Sequence, residues 1–332
     1  MLIARPLNPS SGADFTVVDG FSRVVRLGEG LAHSGHLSKS AMARTMEALA
    51  ICAGRINARN TAHVRCVATE ACRRATNGAQ FVEQVARDTG LKLEIIIPER
   101  EAELTLTGCV PLIGAGRDRV ILVDIGGGST EIQWVEVPQA KDGKAGPRTR
   151  DMISLPFGVV TLADEFGTGP MSDAVYREIL KRMQPEIEQF SARNEIHDFV
   201  AAERVQMIGT SGTVTTLGAM HLGLPRYDRS RVDGLTIDFQ HIRSHSAKLS
   251  ELDLQSRAKI PCIGPGRADL MLMGCALLSG VIAQWPIGQL RVADRGIREG
   301  LLGEMIREHL PGSHPTRAAP SSSAALSAVA TF

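Results

Sequence analysis

Apolar residues follow two rhythms along this chain, and the two alternate. Short runs rich in β-branched residues recur at 64–68, 93–97, 120–123, 205–209 and 290–293, each bounded by polar or turn-forming residues, and predict buried strands. Between them lie stretches with apolar positions every three or four residues. Residues 39–57, behind Ser38 as a cap, carry Met42, Met46, Leu49 and Ala50 on one stripe and predict a long helix. Helices are likewise predicted over 79–89 with Gly90 as C-cap, over 172–193 with a kink at Pro185, and over 214–222, 239–249, 267–283 and the stretch that ends near Leu310. Residues 15–18 and 21–25 predict two strands about Asp19-Gly20. Strands alternating with helices in both halves argue an α/β architecture with mixed sheets.

The most informative stretch is 120–136. Val120, Ile121, Leu122 and Val123 form a strand that ends in Asp124; Gly126, Gly127, Gly128 and Ser129 come next; Thr130, Glu131, Ile132, Trp134 and Val135 resume a strand. Three glycines free the backbone for φ > 0 and for close approach of a ligand. Main-chain N–H groups lining such a turn receive anionic oxygen. Asp124 and Glu131 flank the turn, where they can hold a divalent cation that bridges phosphate oxygens. No Gly-Lys-Ser/Thr comes after it, so this is not a Walker loop, and a strand rather than a helix comes next, so it is not a dinucleotide fingerprint.

Composition narrows the rest. The 332 residues suffice for two domains; 43% are hydrophobic and 22% charged, and the formal net charge of +1 gives no case for nucleic acid or membrane binding. Six cysteines without a CxxC pair suit reduced thiols in the cytoplasm. No apolar run is long enough for a membrane span. His241 and His245 lie four residues apart but lack a third ligand in sequence range, which argues against zinc. A second glycine-rich strand exit, Gly209-Thr210-Ser211-Gly212-Thr213, opens a helix and brings N–H groups to an anion. Glu99, Glu101 and Glu103 begin another helix and include a candidate general base, while Arg73 and Arg74 come after a strand and suit phosphate.

Six segments occur in the order of one family: 67–77, 97–102, 123–131 (VDIGGGSTE), 154–158, 209–216 (GTSGTVTT) and 293–301 (ADRGIREGL). The chain resembles the exopolyphosphatase/guanosine pentaphosphate phosphohydrolase family in its short form. The resemblance implies the actin-like ATPase (ribonuclease-H-like) fold, two α/β domains around a cleft, and Mg²⁺-assisted (or other divalent-cation-assisted) hydrolysis of a terminal phosphoanhydride of inorganic polyphosphate. Some members act on pppGpp instead, and a non-catalytic sensor of polyphosphate or nucleotide is the alternative of another class. Carried over by motif, Glu101 is the base that activates water and Asp124 the carboxylate of the cleft. Asp124 and Glu131 are associated with metal. Arg73, Gly126, Gly127, Gly128 and Ser129 meet phosphates, joined from the second glycine-rich exit by Gly209, Ser211, Gly212 and Thr213. A homodimer is compatible with the family.

The expected division is 1–117, 118–310 and a disordered Ser-, Ala- and Pro-rich tail at 311–332. Family members begin with a strand and a first phosphate loop. Met1-Leu2-Ile3-Ala4-Arg5 resembles the residues just after that loop, so the expectation is a first sheet without its central strand, poorly paired around residues 15–18, in a destabilised and weakly active chain.

Overall fold

The computed structural model describes residues 1–7, 15–138, 146–309 and 326–331. The chain divides into two compact units, Met1–Gly108 with Ile297–Phe332, and Cys109–Gly296. The division differs from the expected one at 117/118. The last long helix, Ile297–His309, belongs to the first unit, where its Gly300 packs against the Leu104 backbone.

Among the described residues the strands are β1 (Leu2–Pro6), β2 (Phe15–Gly20), β3 (His63–Ala68), β4 (Leu93–Ile95), β5 (Arg119–Ile125), β6 (Thr130–Glu136), β7 (Arg148–Leu155), β8 (Val205–Thr210), β9 (Thr236–Asp238), β10 (Gln289–Ala293) and β11 (Ser327–Thr331). The first unit holds a five-stranded sheet in the order β2-β1-β11-β3-β4, and the second a six-stranded sheet in the order β7-β6-β5-β8-β10-β9. Both sheets are mixed, as the alternating pattern predicts.

Two expectations fail in the first unit. Residues 21–25 form no strand; Phe21 instead donates its N–H to the Met1 carbonyl at 3.0 Å and ends the β1–β2 hairpin. Part of the expected tail is a central strand. β11 runs antiparallel to β1 and parallel to β3, with Ala328, Val329 and Ala330 fully buried, so the middle of the sheet is filled. The rest of that tail lies outside the described residues.

The predicted helices form with small changes of boundary. Ser38 caps Lys39–Ala58 by accepting from the Ala41 N–H, and Gly90 ends Gly78–Thr89 at φ 75°. The helix Asp173–Arg193 runs through Pro185. The helix expected from 267 begins at Met271 and is buried along most of its length to Gln284, consistent with its Met- and Leu-rich composition. In the second unit this helix, Ser211–His221 and the apolar face of the sheet share one core around Trp285, Phe190, Ile121 and Leu155.

Candidate active site

In the second unit the candidate residues gather at the carboxyl ends of β5 and β8, where open α/β sheets bind ligands. β5 and β8 are parallel with Asp124 beside Thr210, and β5 and β6 are antiparallel with Asp124 opposite Glu131. The two carboxylates are therefore cross-strand neighbours on one face. Like charges so placed repel unless a proton or a cation intervenes. Burial pushes the Asp124 carboxyl above its ordinary range, opposed by the hydrogen bond that the Ser211 hydroxyl donates to it at 2.7 Å. Glu131 is 3% exposed and accepts from the Ser154 hydroxyl at 2.9 Å.

The glycine turn is held in a specific way. Gly126 closes it by donating to the Ser129 carbonyl at 2.9 Å, and a Cβ at 126 would lie 3.0 Å from that oxygen. Gly126, Gly127 and Gly128 do not adopt positive φ, contrary to one of the two reasons given for them. Their use is close approach. The carbonyls of Gly126 and Gly127 accept from Val159 (3.0 Å) and Val160 (2.8 Å) at the start of the helix Val159–Phe166. With the carbonyls so occupied, the N–H groups of Gly127, Gly128 and Ser129 have no acceptor among the described residues. They form the concave donor set that an anion requires.

The second glycine-rich exit contributes a further donor set. Thr210 precedes the helix Ser211–His221 without a side-chain cap, so the first-turn N–H groups at Gly212 and Thr213 stay open to a ligand. Ser211 sits at φ 81°, an uncommon angle for a residue with a side chain, and this aims its hydroxyl at Asp124. A Cβ at Gly209 would crowd the Leu290 side chain at 3.0 Å and Val214 at 3.2 Å, which would have to shift by a few tenths of an ångström.

Sequence reasoning missed two residues here. Gly158 presses on the glycine turn so closely that no side chain fits; the match at 154–158 was a signal, but not for this role. Arg267 lies against Gly212, with its guanidinium carbon 3.9 Å from where a Cβ would stand, and its side chain makes no hydrogen bond or ion pair among the described residues. Nothing in its Gly-Pro-Gly-Arg context singled it out. Asp294 and Arg295 after β10 are structural: Tyr227 donates to Asp294, and Arg295 pairs with Asp233 at 2.5 Å.

In the first unit Glu101 stands in the first turn of the helix Pro98–Cys109 and is 8% exposed. Arg73 is neither solvated nor free. It donates to the Ile96 carbonyl at 2.6 Å, to Glu70 at 2.6 Å and to Glu101 at 3.4 Å. The arginine thus fixes the Glu101 carboxylate against the end of β4. Arg74 pairs with Glu70 at 3.6 Å.

Among the described residues no three His, Cys, Asp or Glu side chains converge as a closed metal cage. The Asp124–Glu131 pair still fits Mg²⁺, which takes one or two carboxylates and completes its shell with water and substrate phosphates. All six cysteines are buried free thiols, and no helix among the described residues is long and apolar enough to cross a membrane.

Solved structures with the same fold include the Ppx/GppA family member of Aquifex aeolicus, 26% identical with a TM-score of 0.70 over 93% of this chain and 94% of that one. A crystal structure of an exopolyphosphatase-like protein is 26% identical with a TM-score of 0.77 over 89% and 94%. The fold is that of the actin-like ATPases. Among curated proteins, the guanosine-5'-triphosphate,3'-diphosphate pyrophosphatase of Aeromonas hydrophila is 28% identical over 303 residues, which is 91% of this chain but 56% of that protein. The chain thus spans little more than half the length of that relative. Exopolyphosphatase 2 of Mycobacterium tuberculosis is 27% identical over 84% of this chain and 86% of its own. The profile of the Ppx/GppA phosphatase family matches residues 8–309, and the chain belongs to that family.

Proposed function

We propose that this protein hydrolyses the terminal phosphoanhydride of inorganic polyphosphate and releases orthophosphate. The observation that carries the reading is the Ser211–Asp124 hydrogen bond, which ties two anion-receiving loops to a carboxylate in register with a second one. A chain of phosphates needs several N–H donors and a cation more than it needs covalent help. The N–H groups of Gly127, Gly128 and Ser129 would receive one phosphate, and those of Gly212 and Thr213, with the Arg267 guanidinium, another. Asp124 and Glu131 would hold a divalent cation, which on binding supplies charge neutralisation for the phosphate oxygens. Glu101, steadied by Arg73, would take the proton from the attacking water. Arg73 acts on this view through Glu101 in addition to any contact with phosphate. The buried free thiols support a reducing compartment, the cytoplasm.

The names of the relatives point to two substrates with the same reacting bond. The pppGpp reading is therefore kept beside polyphosphate, and one assay separates them. Orthophosphate release is measured from long-chain polyphosphate and from pppGpp with Mg²⁺, for the wild type and Glu101→Gln. Loss of turnover by at least about a hundredfold, with substrate binding kept, is expected for the variant. Equal phosphate release by both proteins would overturn the role of Glu101. Binding without release by the wild type would make the protein a sensor.

A further inference from the structure

The first unit's sheet is built in an unusual order. Its middle strand, β11, comes from the far end of the chain and lies between β1 and β3. It makes five parallel pairs with β3, from Ser327 with His63 to Thr331 with Val67, and three antiparallel pairs with β1. Its side chains are small and alternate between two cores. Val329 enters the cluster of Leu2, Val67, Leu301, Leu302 and Met305. Ala328 and Ala330 face Ile3, Cys52 and Cys66. Backbone pairing on both edges and burial of Ala328, Val329 and Ala330 hold it, and its neighbours β1 and β3 lie far from it in sequence. Without it the sheet would fall into the hairpin β1–β2 and the pair β3–β4, which is held by only three residue pairs. Two-stranded ribbons are marginal in water.

The strand is also connected to the candidate base. β3 ends at Ala68, whose carbonyl accepts from the Ile96 N–H at 3.0 Å. The Ile96 carbonyl accepts from Arg73, and Arg73 reaches Glu101. Each step is a hydrogen bond, and the first strand in the series is held by β11 from His63 to Val67, one residue short of Ala68.

We propose that the slot between β1 and β3 is a strand-receiving site for an extended peptide of small and β-branched residues, filled in cis by Ser327–Thr331, and that its occupancy sets the position of the Arg73–Glu101 edge. The second half of this proposal rests on the reading of Glu101 as the base. The recognition is β-augmentation at the centre of a sheet: main-chain hydrogen bonds give affinity, and the small side chains at 328 and 330 with valine at 329 give selectivity. Ala328 and Ala330 are fully buried in one core, where a bulky residue would overpack and a charge would be buried.

The test uses the full chain with a specific protease site substituted at 314–320 and is read by hydrogen exchange at β3 and by phosphate release. The nicked protein is incubated with an excess of a fluorescent peptide of residues 325–332, or of the same peptide carrying Val329→Pro, which cannot donate at its centre. The native peptide is expected to enter the slot and the proline peptide not. When the nicked strand is competed off by the proline-free peptide and the peptide is then diluted away, the amides of Cys66 and Val67 are expected to exchange roughly tenfold faster or more. Those of Ile121 and Leu122 in β5 should not change. kcat is expected to fall with KM little altered, and fresh native peptide to restore both protection and rate. Entry of both peptides alike, entry of neither, or unchanged exchange in β3 after the strand has left would overturn the proposal. Failure of the catalytic reading alone would show as an inactive intact chain in which peptide entry and β3 protection still depend on the native sequence.

Discussion

Replacing Gly158 with alanine puts a methyl carbon 2.7 Å from both the carbonyl carbon and the oxygen of Gly127, and closer still to the Gly126 oxygen. Ordinary contact begins at 3.4 Å, so the turn must move by about 0.7 Å or more. The residue itself raises no objection, since φ −136° and ψ −168° are extended and open to alanine. The whole cost is space, and what must move is backbone already tied to the helix Val159–Phe166 by bonds of 3.0 and 2.8 Å. Overpacking of this kind costs about 1–3 kcal/mol. For a unit of this size each kcal/mol lowers the melting temperature by about 2–4 °C, so a fall of about 4–8 °C is expected at the middle of that range. A displacement approaching 1 Å in a phosphate cradle lowers kcat/KM by about 10- to 100-fold. Gly127→Ala is the control for stability, because a Cβ there meets only the Val160 methyl at 3.4 Å. Its melting temperature should stay near wild type, while its phosphate release falls if phosphate comes as close to that backbone as proposed. Differential scanning calorimetry and orthophosphate release decide the matter. A Gly158→Ala protein that melts within about 1 °C of wild type at an unchanged rate would refute the claim that this glycine sets the turn.

Arg73→Lys keeps the charge but loses the fork that reaches Ile96, Glu70 and Glu101 together; a loss of about 1–3 kcal/mol in denaturant titration and a lower kcat are expected, and a lysine variant equal to wild type would remove the arginine's positioning role. Ser211→Ala deletes the hydrogen bond that favours ionised Asp124, so the carboxyl moves further up; the acid limb of the pH–rate profile, where ionised Asp124 is lost, should move to higher pH, and a limb that stays or moves down contradicts the assignment. Burial, with His221, Lys248 and His241 nearby, holds His245 below its ordinary value of 6.5. The folded state then binds fewer protons than the unfolded state between the two values, so stability rises with pH across that window and is lost on acidification; His245→Gln should flatten the difference in denaturant midpoint between about pH 5.5 and 7.5, and an unchanged difference would show that His245 does not supply it.

Much of the fold is set by features local in the chain. The run 120–123, its terminal Asp124 and the glycines after it define β5, a turn and β6 because β-branched residues favour a pleated strand and three glycines cannot continue one. Ser38 and Gly90 mark helix ends for equally local reasons. The candidate acids Asp124 and Glu131 stand at fixed offsets from such a boundary, whereas Glu101 was separated from Glu99 and Glu103 only by the family resemblance. What escaped was non-local. β11 is missed because its alanines have weak strand preference and, buried on both faces, show no alternation of polar and apolar residues. Which strand fills the centre of a sheet depends on which neighbouring backbone edges lack partners, and β1 and β3 are more than fifty residues apart in sequence from each other and far from 327. The boundary at Gly108 moved for the same reason, since the helix Ile297–His309 packs where its apolar stripe finds Leu104 and β1. The engagement of Arg73, the pressure of Gly158 on the turn, the open Arg267 and the Ser211–Asp124 bond all join residues from different elements. Period, cap and turn chemistry act within a few residues and are written in the sequence; distances between elements exist only once the sheets have closed, and those distances make a chemical group of side chains that are individually ordinary in the chain.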